Sequence, residues 1–330
     1  MQRNILLCCL LLVAVVSGWS APSDIVWTDD VDNNPVIVEP GLTDANRAYY
    51  ATVLFDPYAN IWRAWFDASS GSDVAYGQSS DVDGINWGSY ALCEGYTESF
   101  KQSKAFVLQL AENSFRMWYT ADDRGGGYFI NTCESIDGVN WTNDQWAVGI
   151  AEPDAATYGP VERFTAVRLD DGTFVAYVRC EEPEIAGTVE GVKVLYRYTS
   201  DDGVQWTWTN DTLVSGVEGL ENIEFSSVVK HPDKDGVWYA WGNNQNSSGP
   251  FQSFVSVDDG LTFTLDEDPV LDIGELGTQS YNVDRNYHPS ATYMGGGNWV
   301  MFRTVAEPKG TAIATGTEQI DTSVTLWELY

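Results

Sequence analysis

Glu162 and Glu224 occupy comparable places in two neighbouring internal repeats of a 330-residue chain. Two carboxylates facing each other across a cleft suit glycoside hydrolysis. One protonates the leaving glycosidic oxygen, while the other activates water or attacks the sugar. Glu162 and Glu224 are the candidate pair, and Asp44, Glu221 and Asp284 are acids close to the same loops. Tyr50 and Tyr287 could stack on a sugar face and donate hydroxyl hydrogen bonds. Lys101 and Arg285 could hold a charged or hydroxyl-rich substrate and tune the carboxyl groups. Ser103, Asn222 and Arg163 complete the polar set, although Arg163 could instead pair with Glu162 as a structural ion pair. His231, in the turn "HPDKDG", reads as a solvated loop residue, and His288 as a hydrogen-bonded structural one. No Cys or His spacing suits zinc, and the glycine-rich "DRGGGY" and "MGGGNW" are hairpin turns that lack the lysine of a phosphate loop.

Glu162, Glu224, Tyr50, Ser103 and Tyr287 share a row when the repeats are superposed, and Lys101, Asn222 and Arg285 lie two residues upstream of it. A short phrase recurs as "SSDVDGINW", "SIDGVNW", "SDDGVQW" and "SVDDGLTF", ending at Trp87, Trp141, Trp206 and Phe263. Upstream of each copy lies an alternating aromatic strand: "IWRAWFDA", "FRMWYTAD", "FVAYVRCE" and "VWYAWGNN". A fifth strand, "WVMFRTVA", is followed by a stretch in which the Asp-Gly turn has degenerated. Such self-similarity indicates a supersecondary unit repeated around a ring or along a solenoid. Each unit reads as four strands with no helical period, so five units make an all-β, five-bladed β-propeller of four-stranded antiparallel blades. The expected blades cover roughly 44–92, 98–148, 158–214, 220–270 and 283–330, with 22–43 as a closing strand. Stepping back fifteen residues from Trp65, Trp118, Tyr177 and Phe302 reaches Tyr50, Ser103, Glu162 and Tyr287. The fourth repeat has a longer turn, so Trp241 leads to Glu224. The recurring phrase itself is expected to be scaffold: Gly permits the tight turn, Ser and Asp cap local backbone groups, and Trp packs between blades.

The first 21 residues read as an export signal, with Arg3, the apolar "ILLCCLLLVAVV" and the small residues of "SGWSA". The apolar run is short for a membrane span, and a secreted, extracellular protein is expected. Cys93, Cys133 and Cys180 allow at most one internal disulfide. The net charge of −31, from 48 acidic against 17 basic residues, argues against nucleic acid and against anionic membranes as partners. Sequons at Asn140, Asn210 and Asn246 are compatible with glycosylation. A monomer that needs no cofactor is expected.

The inner strand, the "RMWY" strand and the "S-x-D-G-x-x-W" hairpin, five times over, resemble the five-bladed propeller glycosidases: arabinanases, β-xylosidases, arabinofuranosidases and invertases. The resemblance implies a carbohydrate partner and assigns the acid role to Glu162. For the family's Asp on the first inner strand this chain offers Tyr50 with Asp44 upstream, and for that on the second it offers Ser103 and Lys101, with no Asp in "FKQSKAFVLQL". It also implies a central calcium ion near His288. The "SVDDGLTF" turn is similar to the Asp-box of sialidases, and Arg47, Arg163 and Arg285 would suit a carboxylate-bearing sugar; five blades instead of six argue against that family. The two principal readings are a glycoside hydrolase acting on a poly- or oligosaccharide and a non-catalytic carbohydrate-binding propeller. An adhesion module is a third.

Overall fold

A computed structural model describes residues 22–38, 41–42, 48–68, 73–96, 103–122, 128–147, 161–181, 193–212, 223–244, 251–266, 286–305 and 310–319. The export signal, Asp44, Arg47, Lys101, Glu221, Asn222, Asp284 and Arg285 lie outside the described residues. For Ser103, Glu162, Cys180 and Tyr287 only the backbone is described.

Each aromatic-rich repeat folds as an antiparallel meander. After a short 3-10 turn come β1 (Ile25–Asp29) and β2 (Ile37–Val38). The first blade is β3 (Tyr49–Asp56), β4 (Ile61–Asp67), β5 (Val74–Ser79) and β6 (Trp87–Leu92). The second is β7 (Ser103–Ala111), β8 (Ser114–Asp122), β9 (Tyr128–Ser135) and β10 (Trp141–Trp146). The third is β11 (Val161–Arg168), β12 (Phe174–Glu181), β13 (Lys193–Ser200) and β14 (Thr207–Thr212). The fourth is β15 (Ile223–Lys230), β16 (Trp238–Asn244), β17 (Gln252–Ser256) and β18 (Thr264–Leu265). The fifth is β19 (Asn286–Gly295), β20 (Asn298–Val305) and β21 (Gly310–Glu318). The inner strands touch in a closed cycle, β3 to β7 to β11 to β15 to β19 and back to β3, which makes the five sheets a propeller.

The second strand of each blade is covered on both faces. It therefore reads as a near-continuous apolar run instead of a strict alternation: Trp238, Tyr239, Ala240 and Trp241 of β16 are all buried. The core is a set of wedges between blades. Phe106, Trp118, Phe164, Phe174 and Trp206 fill the gap between the second and third blades, and Trp62, Phe66, Phe302 and Ile313 that between the fifth and first.

The recurring phrase joins blade to blade. Within three of the turns Ser accepts from the turn glycine: Gly138 N–H to Ser135 Oγ at 2.8 Å, Gly203 N–H to Ser200 Oγ at 2.8 Å and Gly260 N–H to Ser256 Oγ at 3.0 Å. Asp accepts from the backbone beyond it, as Asp137 Oδ1 does from Val139 and Asn140 at 2.8 Å each. The turn glycines have φ of +71° at Gly84, +82° at Gly138, +74° at Gly203 and +74° at Gly260, the left-handed region that glycine enters at little cost. The last three carbonyls then accept from the second-strand aromatic of the preceding blade: Trp65 Nε1 to Gly138 O at 2.7 Å, Trp118 Nε1 to Gly203 O at 2.9 Å, and Tyr177 Oη to Gly260 O at 2.8 Å. The aromatic that opens the outer strand meets the same ring edge-on, with Trp141 centred 6.5 Å from Trp65 and Trp206 centred 6.2 Å from Trp118.

The fifth blade differs for a topological reason. Its outer strand is β1, which pairs with β21 from Ile25 opposite Glu318 to Asp29 opposite Ala314. These strands are not consecutive, so no hairpin joins them and no Asp-Gly turn is required; the turn is absent by construction instead of degenerated. Trp27 of β1 takes the place of the missing motif tryptophan and meets Trp241 edge-on at 6.4 Å. The carbonyl of the missing turn is not replaced, and Trp241 Nε1 has no hydrogen-bond partner among the described residues. A buried ion pair between Asp29 of β1 and Arg303 of β20 fastens the closing strand. His231 is another correction: it is buried, not solvated, and its Nε2 lies 3.1 Å from Glu318 Oε2 in a cluster with Lys234 and Tyr239 that ties the fourth blade to the fifth.

Candidate functional site

Every inner strand carries a β-bulge near its N-terminal end, where the five strands converge on the axis. A bulge adds one residue to one side of a ladder and re-aims the side chains around it. In three blades the bulge puts a non-glycine residue into the left-handed region: Tyr50 at φ 55°, Lys104 at φ 58° and His288 at φ 52°. Such a conformation costs about 1–2 kcal/mol per residue. It is held each time by a side chain two positions past the second-strand aromatic of the preceding blade. Tyr50 N–H donates to Thr304 Oγ1 at 3.1 Å, Lys104 N–H to Asp67 Oδ1 at 3.1 Å, and His288 N–H to Asn243 Oδ1 at 2.9 Å.

The bulges also shift the alignment. Opposite those +2 positions stand Tyr49, Ser103, Arg163, Glu224 and Tyr287. Ser103, Glu224 and Tyr287 thus occupy the row read from the sequence. Tyr50 and Glu162 lie one residue away from it, Glu162 being the extra residue of the third blade's bulge, between Val161 and Arg163.

Around the Tyr50 ring the strained residues meet. The His288 ring is centred 4.1 Å away, Lys104 Nζ lies 5.6 Å from the Tyr50 centroid, and the Arg163 guanidinium carbon lies 6.0 Å from it. Beneath them sits Glu224, fully buried. Arg179 Nη1 donates to Glu224 Oε2 at 2.8 Å, and His288 Nδ1 lies 3.1 Å from Glu224 Oε1. Burial raises the Glu224 pKa, but Lys104, His288, Arg163 and Arg179 outweigh it and lower it to about 2. The same burial, aided by the neighbouring cations, drives the His288 pKa well below its usual value despite Glu224. The imidazole is therefore neutral at pH 7, and the ionised Glu224 selects the tautomer with the proton on Nδ1.

Chemically, Glu224 is no proton donor: it is ionised and enclosed. It fixes Arg179 and His288. For the calcium expected near His288, the donors do not fit. Calcium takes 6–8 oxygen ligands, whereas three cations surround this histidine, and among the described residues no group of three His, Cys, Asp or Glu could hold a metal ion. Cys93 and Cys133 are free and buried, and burial pushes the Cys93 thiol up to about 12.

Asp67, Lys104 and Arg179 were missed in the sequence. Lys104 is displaced by the bulge. Asp67 and Arg179 belong to second strands, yet a signal was present: Asp67, Thr120, Arg179, Asn243 and Thr304 all stand two residues past the strand aromatic, a polar residue in every blade.

No family model matches the sequence, and no curated protein does. Solved structures do. A thermostable family-43 glycoside hydrolase matches with a TM-score of 0.61 at 16% identity, over 86% of this chain and 91% of that one. A xylan β-1,4-xylosidase from Bacillus halodurans matches with a TM-score of 0.59 at 12% identity, over 86% of this chain and 53% of that one. An α-L-arabinanase from Penicillium chrysogenum, complexed with arabinobiose, gives a TM-score of 0.56 at 12% identity, over 82% and 77%. The chain shares their fold.

Proposed function

We propose that this propeller is a glycoside hydrolase acting on a poly- or oligosaccharide at the axial end of its inner strands. The observation that carries the reading is the convergence of Tyr50, His288, Lys104, Arg163 and the Arg179–Glu224 pair at that end. Three of these six residues are held in a left-handed backbone conformation, a strain of the kind that clusters at functional sites. The fold shared with glycoside hydrolases supports it; fold alone does not decide function. In this reading Tyr50 offers a ring face to the sugar, Glu162 protonates the glycosidic oxygen, and Asp44 activates the water. Glu224 acts through Arg179 and His288, as a positioning residue. The export signal read over residues 1–21 would place the substrate outside the cell.

The test is sugar release by the purified protein from aryl glycosides and plant and algal polysaccharides, with Glu162→Gln beside the parent. Turnover that falls at least about 10²-fold in Glu162→Gln supports the acid assignment. Turnover unchanged in that variant removes it. The enclosure of Glu224 favours a second reading, a carbohydrate-binding propeller without hydrolysis, because it takes one of the two carboxylates out of proton transfer. Glycan binding with no turnover on any substrate would select it.

A further inference from the structure

The axial cluster is cationic in a protein that is otherwise strongly acidic. The chain has 17 Lys and Arg against 48 Asp and Glu, yet Lys104, Arg163 and Arg179 all lie close enough to lower the pKa of one carboxylate, Glu224. Asp67 also acts on Arg163.

Arg163 is the informative residue. Its exposure is 3%, and its Nε and Nη1 are buried with no hydrogen-bond partner among the described residues. A buried guanidinium loses several kcal/mol of hydration unless charge and hydrogen bonds replace it. Glu224 is engaged with Arg179 instead, at 2.8 Å. Arg163 lies against the half-buried ring of Tyr50, with Lys104 over the same ring, so the unpartnered guanidinium adjoins the ring on which a sugar would stack. A neutral hydroxyl would satisfy hydrogen bonding but not charge. A carboxylate does both, through the charge-assisted, forked geometry that arginine favours.

We propose that the axial site binds a saccharide bearing a carboxylate, a uronic acid unit whose carboxylate docks on Arg163 with Lys104 assisting and whose ring stacks on Tyr50. The inference rests on reading the axial end as a saccharide site, and it names the class of saccharide.

The test is calorimetric titration of the intact protein with oligogalacturonate and oligoglucuronate, each beside its methyl ester, which keeps the sugar and removes the charge. The free acids should bind at least about 10-fold more tightly than the esters, one good charge-assisted interaction. Arg163→Met should abolish the preference. If Arg163→Met does not fold, Lys104→Asn reads the same effect: asparagine tolerates the left-handed backbone, the charge is gone, and the preference should fall severalfold. Equal binding of acids and esters by the parent overturns the proposal, as does a preference that persists in Lys104→Asn together with a folded Arg163→Met. Binding of the acids without hydrolysis would refute the hydrolase reading and leave this one standing. Hydrolysis of neutral glycans by a protein indifferent to the carboxylate would do the reverse.

Discussion

The rim of the propeller and its axial end are built from the same hairpins, and they treat repetition in opposite ways. At the rim, three Ser–Asp–Gly turns make the same glycine-to-serine hydrogen bond, and four aromatics, Trp87, Trp141, Trp206 and Phe263, meet the preceding blade edge-on. At the axis, the residues opposite the +2 positions are Tyr49, Ser103, Arg163, Glu224 and Tyr287, all different in kind except the two tyrosines. Repetition serves the rim because each blade must solve the same docking problem. It would defeat a binding site, which needs different groups pointing at one ligand.

The comparison can be broken at its axial side first. Glu224→Gln leaves the fully buried Arg179 without its counter-charge, which should cost about 3–5 kcal/mol; urea unfolding reads it, and a loss under about 1 kcal/mol would make the pair dispensable. The pH profile follows from the same pair. The Glu224 pKa falls from an ordinary 4.5 to about 2 in the folded protein. Its contribution is therefore complete above about pH 4.5 and is lost as the pH falls toward 2. Glu318 is also lowered to about 2, so acid alone does not isolate the pair. The parent should lose more stability between pH 5 and about 2.5 than Glu224→Gln does, and parallel curves would contradict the assignment.

At the rim the effects are smaller. A Cβ on Gly138 would sit 2.8 Å from Trp65 Cζ2, at a φ of +82°. Gly138→Ala should destabilise by about 1–3 kcal/mol and leave ligand binding unchanged, because the turn is remote from the axis. The finest test compares two tryptophans. Trp65→Phe removes a donor from Gly138 O, whereas Trp241 Nε1 has no such partner. Trp65→Phe should therefore cost about 1 kcal/mol more than Trp241→Phe, and equal losses would mean that the turn carbonyl contributes nothing to blade docking.

The strands, their order and the turn chemistry were legible in the sequence because they are local. The 49–56 inner strand and the 174–181 second strand coincide with β3 and β12, since alternation, aromatic content and Asp-Gly turns act within a few residues. Glu224 and Tyr50 were also found by self-alignment, while Arg163 was read only as a cation beside Glu162 and His288 only as a lone histidine. Lys104, Asp67 and Arg179 were not, and the roles of Glu224 and His231 changed once their partners were known. Those assignments depend on single-residue bulges and on contacts between blades, such as Tyr50 with Thr304 and Arg179 with Glu224, which are 254 and 45 residues apart. The sequence by itself therefore determined how many blades there are and how each is stitched, because that information repeats in every unit. Only the closed ring decided which charges meet at the axis, because a one-residue bulge re-aims a side chain and ring closure brings together strands that no local period relates.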